Sequence, residues 1–551
     1  MSAELNLAQA LALMDGLAAA GVRRVVASPG SRSTPLVLAA HRHPRLALRM
    51  VLDERSAAWF ALGQGLASGR PTALVATSGT AVGEWLPAVM EADLARVPLL
   101  LVSADRPPEL QGRGANQTCD QQGIFGPRVR AFHPLPVPAG GLERAVRALA
   151  VQAVSEALAP LPGPVHLNQP LREPLTPGGD TAPWEPGPPV RLSAVPPPPD
   201  PADLDDLAGI LDGTPGLILC GPALGHPLPA RAVSTLAEAA GAPILADPLS
   251  GLRTGGHPLD RVLSRQDAFL RRPGAPSPAW ILRLGGAPVS RALGEYISGQ
   301  ERARHILVDP HGRWSDPWHR VDHYLQADPG PLCLDLSERI RPARGDWFRR
   351  WRALDDQTAP RPPLPFEARL VAALVDHLPA GARLFGGNSL AIRLLDAFLH
   401  PSPRPLHLYC NRGVSGIDGN LATLFGIAAT TGGPVVGLVG DLSLLHDLGS
   451  LSLAAGLNAL ILVLDNGGGG IFGLLPQAGL KEFEELFLTP QTADLATLAG
   501  AFGVGYLGLD EGADLVGGLS SALAGEGVRI LHIRLDRGRS LARLQRYWRC
   551  S

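Results

Sequence analysis

The chain has 551 residues, 45% hydrophobic and 18% charged, with a formal net charge of -2. That length exceeds one ordinary core and favours about three domains of roughly 100–200 residues, while the near-neutral charge gives no global signal for nucleic acid. Five scattered cysteines (Cys119, Cys220, Cys333, Cys410, Cys550) include no close pair of the metal or redox type, which fits a reducing cytoplasm.

The first 24 residues interrupt their apolar positions with Glu4, Asn6, Gln9 and Asp15 at helical spacing and carry no basic leader, so they predict a folded amphipathic helix and no targeting signal. No apolar run approaches the ~20 residues of a membrane span, so no membrane insertion is expected. Short β-type runs then fall at 22–27, 73–77, 99–103 and 165–168, with helical runs between them. Residues 177–201 hold ten prolines, which exclude a helix or a central strand because proline lacks the N–H donor. A second set of β-type runs lies at 217–220, 244–246, 281–284 and 306–309. After the break "TAPRPPLPF" (358–366), a third lies at 383–386, 435–439, 460–465 and 530–535. The alternation predicts the α/β class with three doubly wound parallel-sheet domains: 1–180, a Pro-rich linker 181–200, 201–355 and 356–551. In such sheets ligands sit beyond the carboxyl ends of the strands.

Two strand ends in the third block attract attention for that reason. Gly440-Asp441 follows one run, and Asn466, followed by four glycines, follows the next, 25 residues after Asp441. Carboxylate, amide oxygen and backbone carbonyl make a hard oxygen set suited to Mg²⁺, and glycines let backbone N–H groups approach phosphate. The alternative is plain: Asp441 caps a helix and the glycines make a turn.

The pair "GDLS" and "DNGG" resembles the diphosphate and metal signature of thiamine diphosphate enzymes, and the three blocks resemble their pyrimidine-binding, central and diphosphate-binding domains. The resemblance implies a catalytic glutamate after an early strand, and Glu54 in "VLDERSAAW" matches it. A carboxylic acid bonded to the aminopyrimidine favours the tautomer that removes the cofactor's weakly acidic C2 proton. On residues alone, Glu54 also suits the first turn of a helix, where the dipole favours an acid.

Six further motifs, "SPGSRSTPL", "TSGTAV", "ADRPPEL", "GANQ", "NRGVSGIDG" and "IFGLLP", are similar to the branch of that family serving menaquinone biosynthesis. The central block is similar mainly in layout. The resemblance implies a transferase that decarboxylates 2-oxoglutarate and adds the resulting enamine 1,4 to isochorismate. Thiamine diphosphate and Mg²⁺, with Mn²⁺ as a substitute, are its implied cofactors, and a homodimer or a dimer of dimers is its implied assembly. Metal ligands would be Asp441, Asn466 and the Gly468 carbonyl. Glu54, Ser389, Ile417, Gly440, Leu442 and Ile471 would complete the cofactor contacts, with Ile417 wedged between the two rings.

Both substrates are dianions, which suits arginine forks. By resemblance, Arg393, Arg412, Gln117 and Ser389 would meet the oxoglutarate-derived group, and Arg32, Arg106, Asn116 and Arg291 would meet isochorismate. Ile471, Phe472 and Leu475 would wall the pocket. The chain departs from the family pattern at three places: Asp465-Asn466-Gly467 stands where a run of Asn is common, Gly470 where a side chain such as Gln is common, and Ser290 where a Lys often precedes the arginine. His446 reads as a helix-surface or core histidine. Rival readings are another thiamine-dependent decarboxylase or acetohydroxyacid synthase, with a flavin in the central domain, and a catalytically silent scaffold on the same fold.

Overall fold

Segments such as "LLLVSAD" and "ALILVLD" are buried along nearly their whole length, as a parallel strand covered on both faces requires. The computed structural model describes residues 2–178, 185–193, 195–360 and 364–550. Its strands form three six-stranded sheets in which every neighbouring pair is parallel.

The first sheet contains β1 (Arg24–Ala27), β2 (Ala47–Met50), β3 (Thr72–Ala76), β4 (Leu99–Asp105), β5 (Phe132–Pro134) and β6 (Pro164–Pro170) in the order β2-β1-β3-β4-β6-β5. The central sheet contains β7 (Gly216–Cys220), β8 (Ile244–Ala246), β9 (Val262–Leu263), β10 (Trp280–Leu284), β11 (Arg304–Val308) and β12 (His323–Leu325) in the order β12-β11-β10-β7-β8-β9. The third contains β13 (Arg383–Gly386), β14 (His407–Tyr409), β15 (Val435–Gly440), β16 (Ala459–Asp465), β17 (Gly505–Asp510) and β18 (Val528–Arg534) in the order β14-β13-β15-β16-β18-β17. Sheets one and three therefore repeat one topology. The α/β class with three such sheets is as expected.

By packing, the described chain divides into two compact units. One comprises Met1–Val195 with Asn411–Gly432 and Asp447–Leu453; the other comprises Pro196–Cys410, Gly433–His446 and Ala454–Ser551. The expected boundaries followed chain order, and packing regroups two short segments of the last block with the first sheet. Glycines explain how: a Cβ on Gly63 would lie 2.1 Å from the Thr423 carbonyl, and one on Gly426 would lie 2.0 Å from the Phe60 carbonyl. Helices Glu54–Ser68 and Asn420–Ala428 thus meet backbone to backbone. Asp447, almost wholly buried, caps the second of them by accepting the Leu421 and Ala422 N–H groups at 2.8 and 3.0 Å.

Residues 185–193 and 195–200 of the Pro-rich segment form neither helix nor strand. Residues 179–184 and 194 of that linker, and 361–363 of the second break, lie outside the described residues. Among the described residues no helix is long and apolar enough to cross a membrane. The four cysteines whose side chains are described, Cys119, Cys220, Cys333 and Cys410, are free thiols.

In the central sheet the chain reverses direction between β7 and β10, where open α/β sheets often take a ligand. Here the two loops bond to each other: Gly221 N–H donates to Leu284 and Gly286 N–H to Pro222, both at 2.9 Å. A Cβ on Gly221 would fall 1.7 Å from the Gly286 carbonyl.

Candidate functional site

In the first unit, the strand order sends the chain to opposite sides after β1 and β3, so a crevice opens at their carboxyl ends. A cleft of 570 Å³ lies there, lined among others by Gly30, Ser31, Glu54, Thr77, Thr80 and Gln117. Glu54 opens its helix because Asp53 precedes it as an N-cap, accepting the Arg55 and Ser56 N–H groups at 2.9 and 3.4 Å. Gly30 lets the first loop approach the second, since a Cβ there would sit 2.4 Å from that of Thr77. Glu54 is thus both the first-turn acid that helix chemistry expects and a half-buried carboxyl facing a cavity.

The arginines of this unit are held in different ways. Arg32 is 5% exposed and donates to the Leu171 carbonyl and to Glu173, each at 2.9 Å. Arg106 donates to Ser78 Oγ at 2.7 Å, and burial first, then the Arg32 charge, lowers its proton affinity. The two guanidinium groups are close enough to repel, and the Glu173 and Asp105 carboxylates offset that repulsion at Arg106. Asn116 and Gln117 are exposed, and Gln117 adopts a φ of 52° while donating to the Ser78 carbonyl at 2.9 Å. Ser389 likewise has a φ of 66°, so two of the six described non-glycine residues with positive φ are candidate residues. Such backbone strain concentrates at binding sites.

Arg412 and Ile417 also belong to this unit. Their loop is held by Glu91, which is fully buried and accepts the Gly413 and Val414 N–H groups at 2.6 and 2.7 Å. Burial raises the Glu91 carboxyl pKa, while those two bonds and the Arg412 charge oppose it. Beneath the cleft, Gln121 accepts the Gly79 N–H at 2.9 Å and donates to Asn168, which donates to Asp105 at 2.8 Å.

In the second unit, β15 ends at Gly440 and a short helix begins at Asp441, while the neighbouring β16 ends at Asp465 and passes into the glycine loop. The Asp441 carboxyl is 6% exposed; burial first and the Asp465 charge second push its pKa up to about 7, against the Gly468 N–H bond that lowers it. Asn466 Oδ1 is buried and has no hydrogen-bond partner. A buried carboxylate beside an unpartnered buried amide oxygen and a loop carbonyl fits a hard cation, which would supply the missing partner. No cluster of three or more His, Cys, Asp or Glu suited to a metal exists among the described residues, so the fit rests on mixed oxygen donors.

The four glycines differ. Gly467 and Gly468 take φ of 74° and 125°. A Cβ on Gly468 would lie 2.2 Å from the Leu488 carbonyl, and one on Gly469 would lie 2.4 Å from that of Phe487. Gly469 N–H donates to Leu488 at 2.7 Å. At Gly470 a Cβ would lie 2.6 Å from Asn466 Nδ2, which explains the missing side chain noted in the sequence: here that space belongs to Asn466.

The other candidates of this unit are Ser389, Arg393, Leu442, Ile471, Phe472, Leu475 and Arg291. Arg393 donates back to the Ser389 carbonyl at 2.6 Å. Its helix, Leu390–Phe398, is anchored at the far end by Arg253, which is 1% exposed and donates to the Asp396 and Leu399 carbonyls at 2.6 and 3.0 Å. Ile471 and Phe472 lie half-buried on a 3₁₀ turn, with Phe472 edge-on to Phe487. Arg291 stands apart on a central-sheet helix, its side chain 80% exposed and paired with Glu295 at 2.7 Å. Ser290, at the departure from the family pattern, caps that helix and donates to Asp267 at 2.7 Å. His446 is exposed at the end of its short helix.

Ser78, Glu91, Gln121, Asp447 and Arg253 were not singled out from the sequence. Two of them carried a signal: Ser78 lies inside the motif "TSGTAV", and Glu91 is an acid in the apolar, alanine-rich run "LPAVMEADLA".

Comparison with known proteins bears on these two groups of residues. Residues 6–124 match the family model "Thiamine pyrophosphate enzyme, N-terminal TPP binding domain", and residues 394–533 match "Thiamine pyrophosphate enzyme, C-terminal TPP binding domain". Among curated relatives, a 2-succinyl-5-enolpyruvyl-6-hydroxy-3-cyclohexene-1-carboxylate synthase of Dechloromonas aromatica is 42% identical, covering 96% of this chain and 98% of that protein. Proteins of the same name from Geobacillus kaustophilus and Chloroflexus aurantiacus are 41% and 42% identical, each covering 98% of this chain and 96% and 95% of the relative.

Proposed function

The chain belongs to the 2-succinyl-5-enolpyruvyl-6-hydroxy-3-cyclohexene-1-carboxylate synthase family of thiamine pyrophosphate enzymes, and we propose that it carries out that reaction in menaquinone biosynthesis. It takes 2-oxoglutarate and isochorismate and releases CO₂. The observation that carries this reading is Glu54, a half-buried carboxyl on the wall of the 570 Å³ cleft at the carboxyl end of the first sheet.

Thiamine diphosphate, when bound, supplies the carbanion chemistry that no protein side chain offers. Glu54 would hold a proton toward the aminopyrimidine ring and so favour the tautomer that this chemistry needs. Asp441, Asn466 and the Gly468 carbonyl hold Mg²⁺, with Mn²⁺ as a substitute, and Gly440, Leu442 and Ser389 approach the cofactor. The orphaned Asn466 Oδ1 supports the metal assignment. Ile417 would pack against the cofactor, and Ile471, Phe472 and Leu475 would exclude water from the reacting centre. Arg393, Arg412, Gln117 and Ser389 receive the 2-oxoglutarate carboxylates; Arg32, Arg106, Asn116 and Arg291 receive isochorismate. A domain division at 1–180, 201–355 and 356–551 fits one sheet per domain. A homodimer, or a dimer of dimers, is the working unit, in which the pyrimidine-binding part of one copy faces the diphosphate-binding part of another. The free thiols support a cytoplasmic setting.

The test is consumption of isochorismate by the purified chain with 2-oxoglutarate, thiamine diphosphate and Mg²⁺, against the same mixture with pyruvate. Turnover only with 2-oxoglutarate is expected. Turnover with pyruvate, or none with either, would overturn the proposal.

A further inference from the structure

Asp465, the last residue of β16, does not stand alone. Its Oδ2 lies 2.8 Å from His532 Nε2, and Tyr506 Oη lies 2.8 Å from His532 Nδ1. The chain is complete with a neutral ring: Tyr506 O–H donates to Nδ1, and Nε2–H donates to the carboxylate. His532 is 7% exposed at its side chain and sits on β18, directly opposite Gly508 of β17. The missing side chain at Gly508 leaves room for the Tyr506 ring, whose hydroxyl would be 3.1 Å from a Cβ there. The other carboxylate oxygen of Asp465 accepts the Gly467 N–H at 2.9 Å, and its backbone carbonyl accepts the Leu535 N–H at 2.8 Å. Asp465 is thus fixed from two strands and, in turn, fixes the first bend of the glycine loop.

We propose that Tyr506, His532 and Asp465 are positioning residues for the divalent cation: they lock the turn that aims Asn466 Oδ1 and the Gly468 carbonyl, and place a second negative charge beside Asp441 without ligating the metal. This rests on the cofactor reading above. Three observations converge on it: a bonded three-residue chain, the unpartnered Asn466 oxygen one residue away, and the pairing of Gly440 with Leu464, which sets Asp441 and Asp465 at neighbouring strand ends. Partners that orient metal ligands from behind typically govern metal affinity by about 10–100-fold.

The experiment is calorimetric titration of the full chain with thiamine diphosphate at stepped Mg²⁺ concentrations, together with melting of the ligand-free protein. Asp465→Asn and His532→Phe are each expected to raise the Mg²⁺ needed for half-saturation about 10-fold or more. His532→Gln, which can still bridge its neighbours, should retain most of the wild-type affinity, and the double variant Asp465→Asn/His532→Phe should be no weaker than the worse single variant, because the pair acts as a unit. Ligand-free melting temperatures should stay close to wild type. Variants that bind like a binding-competent wild type would sink this inference and leave the proposed function standing. Losses that add in the double variant and track a fall in ligand-free melting temperature would show a merely structural pair and also overturn it. A wild-type chain that takes no thiamine diphosphate at any Mg²⁺ concentration would overturn both.

Discussion

Asp53 fixes the first turn of its helix before any ligand arrives, so the Glu54 carboxyl is presented to the cleft by local structure alone. Glu54→Gln keeps size and helix but removes the acid; we expect thiamine diphosphate binding to persist while kcat falls at least about 10²-fold, the usual worth of a positioned proton donor. Calorimetry beside a turnover assay checks it, and unchanged turnover would sink the mechanism. The arginines separate by environment. Arg106 is half-buried beside Arg32, whereas Arg291 is 80% exposed with its Nε on Glu295, and exposed ion pairs are worth little. Arg106→Ala should therefore raise the KM for isochorismate about 10-fold or more, and Arg291→Ala at most several-fold. Steady-state kinetics with isochorismate varied distinguishes the two.

At the scale of elements, the loop after β16 is a close-packed turn whose glycines have unequal duties. Gly467 needs its positive φ but has open space around a Cβ, so Gly467→Ala should cost only about 1 kcal/mol of backbone strain. Gly468→Ala meets the Leu488 carbonyl at 2.2 Å and must push the loop off its support, so it should cost more and abolish Mg²⁺-dependent cofactor binding. Melting curves and cofactor titration of the two variants give the comparison, and equal behaviour would refute the division of duties. Strands show what periodicity can and cannot find. The four apolar runs read in each block correspond to β1, β3, β4 and β6, to β7, β8, β10 and β11, and to β13, β15, β16 and β18. The six strands not read, β2, β5, β9, β12, β14 and β17, are the two edges of each sheet. An edge strand such as β2 or β17 is half-exposed, and β9 has only two residues, so neither a continuous apolar run nor a clean alternation marks them.

For the whole molecule, two buried histidines tie stability to pH. Burial holds His166, in the first unit, and His400, in the second, down to about 3, with the Arg265 and Arg253 charges adding to the effect at His400. Both stay neutral in the fold, whereas the unfolded chain protonates them below their ordinary value of about 6.5. Their contribution is complete above that pH and is lost as pH falls toward 3, by about 1.4 kcal/mol per pH unit for each group. Buried carboxyls such as Asp441, held up to about 7, act with the opposite sign, so the test is a difference: replacing His166 and His400 by Gln should make the urea midpoint fall less between pH 7 and pH 4 than in the wild type, and an unchanged slope would contradict their burial. The proposed assembly is tested at the same scale. Met50 and Leu52, just before Glu54, are 47% and 79% exposed in the single chain, which supports a second copy covering that edge. Sedimentation with parallel assays should find activity per chain falling as a dimer dissociates on dilution; a fully active monomer would exclude the arrangement.

The order of residues alone determined the α/β class, the twelve inner strands, the Pro-rich break and the family, because buried parallel strands write continuous apolar runs and ligand loops write motifs at fixed distances from strand ends. Glu54, Asp441 and Asn466 were legible as candidates for that reason. Folding decided what depends on neighbours remote in sequence. Glu91 meets the Gly413 loop across more than 300 positions, helix Asn420–Ala428 joins the first unit through Gly63 and Gly426, and Arg253 anchors the helix of Arg393. Folding also gave each glycine after Asn466 its role: φ at Gly467 and Gly468, and a carbonyl or amide in the way at Gly468, Gly469 and Gly470. Identical letters in a row carry no periodicity, and only the atoms packed around each one distinguish a bend from a close approach.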